Sequence, residues 1–201
     1  MRNIISFVHI SLDGFITGPN GEIDWIIWDA EIFDHIWNRL AGTDTALYGR
    51  KTFEMMEHYW PTAWDKTTAT QHDIDHAQWY TWAHKIVLST TMQDPERSDI
   101  TIIGDNLLEQ IDAIKQQPGK DIFIFGSPTA THALMKHNRI DEYWLFVNPI
   151  ILWHGVPLFQ GIRETMTLNL LTTRRFACWV MELNYAVNRE ISRKQNEWIL
   201  L

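Results

Sequence analysis

Asp121-Ile-Phe-Ile-Phe-Gly-Ser-Pro128 constrains the fold more than any other stretch of the chain. Four apolar residues, Ile122–Phe125, run without a polar break into Gly126-Ser127-Pro128. An apolar-periodic segment from Thr129 to His137 follows. A short apolar run bounded by turn residues is the pattern of a strand buried on both faces. Ser127 suits a helix N-cap and Pro128 the first helical position. A buried strand that breaks at glycine and opens a helix leaves free backbone N–H groups converging on one place, and a phosphate fits there. The chain is therefore read as built around a nucleotide site at this turn.

The rest of the chain supplies a sheet for that strand. Strands are predicted at Ile4–Ile10, Thr45–Tyr48, Lys85–Ser89, Ile100–Ile103 and Ile140–Val147. Helices are predicted at Asp29–Leu40, after Gly49–Thr52 through about His58, at His72–Ala83 and at Asp105–Gln116. Ser11–Gly21 reads as a loop with two turn signals, Thr62–Ala69 as a polar loop, and Pro149–Phe159 as an irregular apolar loop. Leu168–Phe176 and Trp179–Ala186 read as a closing antiparallel pair. Strands alternating with helices before an antiparallel end give an α/β fold on a mixed, mainly parallel sheet flanked by helices. One domain is expected over residues 1–190, followed by a tail at 191–201.

Composition narrows the function classes. The net charge of −8 argues against nucleic acid as a partner, because such binders carry a basic face. The 11 tryptophans pack cores and interfaces, and can also line a pocket that stacks a heterocycle. Cys178 is the only cysteine, so no intrachain disulfide or cysteine-based zinc cluster is expected; its apolar surroundings suggest a small core residue. No apolar run approaches membrane-spanning length and the start lacks a signal-peptide core, so no membrane association and a cytoplasmic location are expected.

Three strand-to-loop junctions carry related chemistry. Gly49-Arg50-Lys51-Thr52 opens a helix beside two cationic side chains, Ser89-Thr90-Thr91 ends a strand in three hydroxyls, and Gly126-Ser127 opens a second helix. In an open α/β sheet such strand ends line one edge, where ligands bind. Two helix N-termini with Arg50 and Lys51 suit a ligand with several phosphates. Gly-x-Gly-x-x-Gly and the P-loop pattern are both absent. His72 and His76 share a helix face, but Asp73 stands where a zincin has Glu and no third ligand is evident, so no metal site is expected. Asp13, between the first strand and Gly14, is a candidate to fold over a ligand, or simply a turn residue. Asp29, Glu31 and Asp34 lie where a helix dipole favours acids.

Ser11-Leu12-Asp13-Gly14-Phe15-Ile16, Tyr48-Gly49-Arg50-Lys51-Thr52, Ile86-Val87-Leu88-Ser89, Phe125-Gly126-Ser127 and Asn148-Pro149 with Gly155-Val156-Pro157-Leu158-Phe159 occur together and in this order. As a set, from about residue 2 to 186, they resemble the dihydrofolate reductase-like superfamily. The branch most similar holds the reductase domain of the bifunctional riboflavin-biosynthesis deaminase-reductase and its stand-alone bacterial relatives. The resemblance implies a sheet of about eight strands and NADPH as hydride donor. It implies that Arg50, Ser89 and Thr90 hold the adenosine 2′-phosphate, and that Thr52 and the Gly126–Thr129 turn hold the pyrophosphate, with Gly49, Lys51, Ser127 and Thr129 completing the cofactor set. It places Asp13 near the nicotinamide and the substrate, as the catalytic candidate. Trp25, Trp28 and Asp29 are the substrate candidates, with Trp60 a further ring. By analogy with relatives, Val147–Leu152 and Pro157–Phe159 form part of a homodimer interface.

Departures from the family pattern are specific. Folate-reducing members carry an arginine just before the strand that is Lys85–Ser89 here, where this chain has Trp82-Ala83-His84. They follow their tryptophan with Leu-Pro and an acid, where Trp25 here precedes Ile26-Ile27-Trp28-Asp29. Trp153 stands where the riboflavin branch usually has glycine, and an attached deaminase domain is not expected. Folate-reducing relatives have a cis Gly-Gly peptide at the turn that is Gly126-Ser127 here, which poses the question of that bond's geometry. The resulting expectation is an NADPH-dependent reductase of a small heterocycle, of the 5-amino-6-(5-phosphoribosylamino)uracil reductase type. A folate reductase, or a non-catalytic nucleotide-binding module on the same fold, is the alternative.

Overall fold

The computed structural model describes residues 1–93, 96–162 and 164–189. In chain order the elements are β1 (Ile4–Ser11), β2 (Phe15–Thr17), α1 (Ala30–Leu40), β3 (Thr45–Gly49), α2 (Arg50–Tyr59), a 3-10 helix (Trp60–Asp65), α3 (Gln71–Trp82), β4 (His84–Leu88), β5 (Ile100–Ile103), α4 (Leu107–Gln116), β6 (Ile122–Phe125), α5 (Pro128–Met135), β7 (Glu142–Asn148), β8 (Val156–Pro157), β9 (Leu168–Arg175) and β10 (Met181–Val187). Eight strands make one sheet in the order β5-β4-β3-β6-β1-β7-β10-β9, and β2 pairs with β8 separately. This is the mixed, mainly parallel architecture that the alternation of strands and helices predicts.

The chain divides into two compact units. The first holds Met1–Asn3 and Trp28–Ala130. Its strands β4, β3, β6 and β5 run parallel, with Gly49 opposite Leu88 and Leu47 opposite Ile124. β3 and β6 are buried at every residue, which is why they read as apolar runs without alternation. Tyr48, Trp79, Tyr80 and Phe123 fill the space between sheet and helices. The Trp79 indole N–H donates to the Thr43 carbonyl at 2.9 Å, so the polar edge of this large buried ring is satisfied.

The second unit holds Ile4–Ile27 and the chain from Thr131 onward. β1 and β7 are parallel, whereas β10 runs antiparallel to both β7 and β9. Trp144 is buried and its Nε1 donates to Glu182 Oε1 at 2.7 Å. β9 is exposed along nearly its whole length.

Three local expectations need correction. Thr62–Asp65, expected as loop, continues the chain as a 3-10 helix, since Pro61 fits the first turn of a helix whose opening N–H groups are unpaired anyway. Phe15–Thr17 and Val156–Pro157, expected within loops, pair as strands, and strands this short show no periodicity for a sequence reading to find. Cys178 is half-exposed in the β9–β10 turn rather than a core residue. The expected tail at 191–201 lies outside the described residues.

Candidate functional site

In the first unit the three junctions meet. The β3–β4 register sets Gly49 beside Leu88, so Arg50 and Ser89 leave adjacent strand ends. Ser127, 78 residues on, turns its hydroxyl onto Gly49, accepting the Gly49 N–H at 2.9 Å in a buried setting. The hydroxyl expected at its own helix start is thus used to tie β3 to the β6–α5 turn. A Cβ on Gly49 would stand 3.0 Å from that Oγ and 3.4 Å from Thr129 Cβ, a tight contact that those two side chains would have to ease. Gly126 has φ 52° and open space around it, and among the described residues no peptide bond is cis.

The N-terminus of α2 is without a side-chain cap, so its first N–H groups stay available. Arg50 and Lys51 are exposed beside it, and Thr52 is half-buried. Arg50 Nη1 lies 3.4 Å from Glu54 Oε1, a loose surface pair that leaves the guanidinium free to turn. A cationic pair beside an uncapped helix start fits a phosphate-bearing cofactor. Ser89 Oγ accepts from the Thr91 and Met92 N–H groups at 3.2 and 3.0 Å, which fixes the turn and leaves its own proton to donate.

At the opposite end of β4 from Ser89 stands a charged cluster that sequence reasoning missed. Lys85 is buried, with Nζ 3.0 Å from Asp99 Oδ2 and over the Tyr80 ring. Arg97 pairs with Asp99 at 2.7 Å and also with Glu57, which accepts the Tyr80 hydroxyl at 2.8 Å. The Arg97 hydrogen bonds, then Lys85, hold the Asp99 carboxyl far below the ordinary range. The cluster fastens the entry to β5 at Arg97 and Asp99 to β4 and α2. A lysine inside an apolar strand was the available signal.

Asp13 belongs to the second unit, and its carboxylate is occupied. Oδ1 accepts the Ser11 hydroxyl at 2.7 Å and the Leu152 N–H at 3.1 Å, and Oδ2 accepts the Trp153 N–H at 2.8 Å. The Ser11 hydroxyl, then the Leu152 and Trp153 amides, hold it below the usual carboxylate range despite some desolvation. Asp13 therefore offers a site a fixed negative charge and geometry rather than a proton. Trp25 Nε1 donates to the Glu22 carbonyl at 3.0 Å, so its polar edge serves its own loop.

Trp28 and Asp29 lie in the first unit. Asp29 caps α1, its Oδ1 accepting the Glu31 N–H at 2.8 Å. Trp28 stacks on Phe33 and Phe33 on His72, with centroids 5.7 and 4.0 Å apart. His76 stacks on Trp60 at 3.9 Å. Both histidines are thus packed among rings, and among the described residues no cluster of three or more His, Cys, Asp or Glu could hold a metal ion. No helix among them is long and apolar enough to cross a membrane.

The family model of the RibD C-terminal domain matches residues 2–181. YyaP of Bacillus subtilis (strain 168), an uncharacterized protein, is 34% identical over 189 residues, covering 93% of this chain and 96% of YyaP. The structure of a proposed riboflavin biosynthesis protein from Shewanella sp. PV-4 superposes with a TM-score of 0.67 at 21% identity, covering 94% of this chain and 100% of that one. The diaminohydroxyphosphoribosylaminopyrimidine deaminase/5-amino-6-(5-phosphoribosylamino)uracil reductase of Thermotoga maritima superposes with a TM-score of 0.63 at 13% identity. That match covers 93% of this chain and 57% of the Thermotoga chain. The two structures establish a common fold.

Proposed function

The chain belongs to the RibD C-terminal domain family, and from that premise we propose that it is an NADPH-dependent reductase of a small heterocycle, with an aminopyrimidine of the riboflavin-pathway type as substrate. The observation that carries this reading is the Gly49 junction: an uncapped α2 start, a Gly49 N–H tied to the Ser127 hydroxyl of the neighbouring turn, and two exposed cations. The α2 N–H groups and the Gly126–Thr129 turn bind the pyrophosphate. Arg50, with the hydroxyls of Ser89 and Thr90, binds the adenosine 2′-phosphate. The cofactor supplies a hydride, and the protein supplies orientation and electrostatics. Asp13 acts as a fixed carboxylate, so the proton that accompanies reduction comes from another donor.

Folate is disfavoured as substrate by the segment before β4. Trp82-Ala83-His84 stands in place of the arginine that clasps a carboxylate; Ala83 is buried and His84 Nε2 lies 2.8 Å from Thr101 Oγ1.

The test is titration of the purified protein with NADPH and NADH, followed by cofactor fluorescence. The wild type binds NADPH more tightly. Arg50→Glu loses a charge-assisted contact of about 2 kcal/mol, roughly 30-fold in NADPH affinity, and leaves NADH within about twofold. Equal losses for both nucleotides would remove Arg50 from the 2′-phosphate role, and binding of neither would overturn the reductase reading.

A further inference from the structure

We propose that Trp153 is the stacking platform for the planar ring of the substrate, and that Asp13 is the positioning residue that aims it. The inference rests on the reductase reading above and deepens it by naming the contact that selects a flat heterocycle.

Trp153 combines two unfavourable states. Its φ is 70°, a left-handed backbone that a bulky side chain seldom adopts. Its side chain is 85% exposed, more than that of any other tryptophan among the described residues, so a large apolar ring forgoes burial. Neither follows from slackness of the loop. The Leu12 N–H donates to the Ile150 carbonyl at 2.8 Å, and the Leu158 N–H to the Gly14 carbonyl at 2.8 Å. His132 Nε2 lies 2.9 and 3.1 Å from the Pro157 and Leu158 carbonyl oxygens, and since carbonyls only accept, that nitrogen carries the proton. A Cβ on Gly155 would meet Thr17 O at 2.1 Å, so the chain two residues beyond Trp153 is pressed against β2.

Asp13 closes this frame at its tip, gripping the Leu152 and Trp153 N–H groups while Ser11 grips Asp13. Ser11 Oγ also accepts the Phe15 N–H at 2.9 Å, so the carboxylate is itself held from behind. The indole is thus presented by an over-determined backbone, with exposed Leu12 and Ile151 on the two loops that Asp13 joins. Strain kept at a rigidly supported residue marks a functional position, and an immobilised aromatic face binds with little entropy to lose. An indole face stacks planar rings of any hydrogen-bonding pattern, which suits an aminopyrimidine.

The test measures binding of 5-amino-6-(5-phosphoribosylamino)uracil and of NADPH by calorimetry, with thermal melting and sedimentation on the same samples. Trp153→Ala weakens the pyrimidine at least tenfold, Trp153→Phe stays within threefold, and both keep NADPH affinity within twofold. Trp153→Gly, which suits the left-handed backbone, melts at or above the wild-type temperature yet loses the pyrimidine as Trp153→Ala does. Asp13→Asn weakens the pyrimidine several-fold with NADPH affinity retained. Unchanged pyrimidine affinity in Trp153→Ala overturns the inference. So does a wild-type dimer that Trp153→Ala dissociates while pyrimidine affinity holds, since the ring then covers a second copy. A wild type that binds neither ligand counts instead against the reductase reading.

Discussion

His9 and His76 are imidazoles held neutral by burial, which pushes each down to about 3 from an ordinary 6.5. His9 lies flat on Phe146 with its Nδ1 3.3 Å from Asn148 Nδ2. His76 stacks on Trp60, and its Nδ1 has no hydrogen-bond partner. Above pH 6.5 neither state of the chain protonates them. As pH falls from 6.5 toward 3, the unfolded chain binds both protons and the folded chain does not, so stability declines. Each histidine contributes a slope of about 1.4 kcal/mol per pH unit in that window. Urea denaturation at pH 7.5, 6 and 5 checks this. His76→Phe is expected to remove about half of the histidine slope, and an unchanged slope would mean that folded His76 takes up its proton normally. Sequence marked His72 and His76 as sharing a helix face, and that much was local. That their partners are Phe33 and Trp60 was decided by packing between elements.

β2 and β8 show where element-level reading reaches its limit. Ile122–Phe125 was legible because a fully buried parallel strand writes its burial into consecutive residues. Phe15–Thr17 and Val156–Pro157 hold too few residues for a pattern, and their pairing depends on a partner far along the chain. Gly155, with φ 152°, is the residue that permits it. Gly155→Ala places a methyl against Thr17 O, a backbone atom that cannot swing aside, and adds conformational strain. The expected cost is about 3 kcal/mol or more, read as a melting temperature lower by roughly 6–12 °C. A shift under about 2 °C would show that this ladder contributes little. Exchange of the Leu158 amide, bonded to Gly14 O, should accelerate in step.

For the molecule as a whole, the first residues of the chain matter more than their position suggests. Arg2 is buried, its Nε donating to the Lys120 carbonyl and Nη2 to Asp44 and Thr45 Oγ1. A Cβ on Gly119 would lie 2.8 Å from the guanidinium carbon, so the turn before β6 is shaped around that side chain. Arg2→Met leaves the partly buried Asp44 and the Lys120 carbonyl without this donor. With allowance for the exposure of Asp44, the loss is about 2–3 kcal/mol. Chemical denaturation measures it, and a loss below about 0.5 kcal/mol would show that the Arg2 contacts are energetically idle.

Apart from β2, β8 and the 3-10 helix, the sequence by itself determined the succession of strands and helices, and with it the three junctions at Gly49, Ser89 and Gly126. Each of these is a local event: apolar runs, turn residues and helix starts follow from neighbours within a few positions. Tertiary structure alone decided that Ser127 seals Gly49 rather than serving only its own helix, that Arg97 and Lys85 meet at Asp99, and that the Asp13 carboxylate is spent on Leu152 and Trp153. Those contacts join residues distant in the chain through side-chain reach and backbone approach, and neither leaves a periodic trace. The stretch at Ile122–Phe125 needed no partner to be recognised as a buried strand, because burial on both faces is itself a sequence pattern. What its turn touches had to wait until the sheet set β6 beside β3.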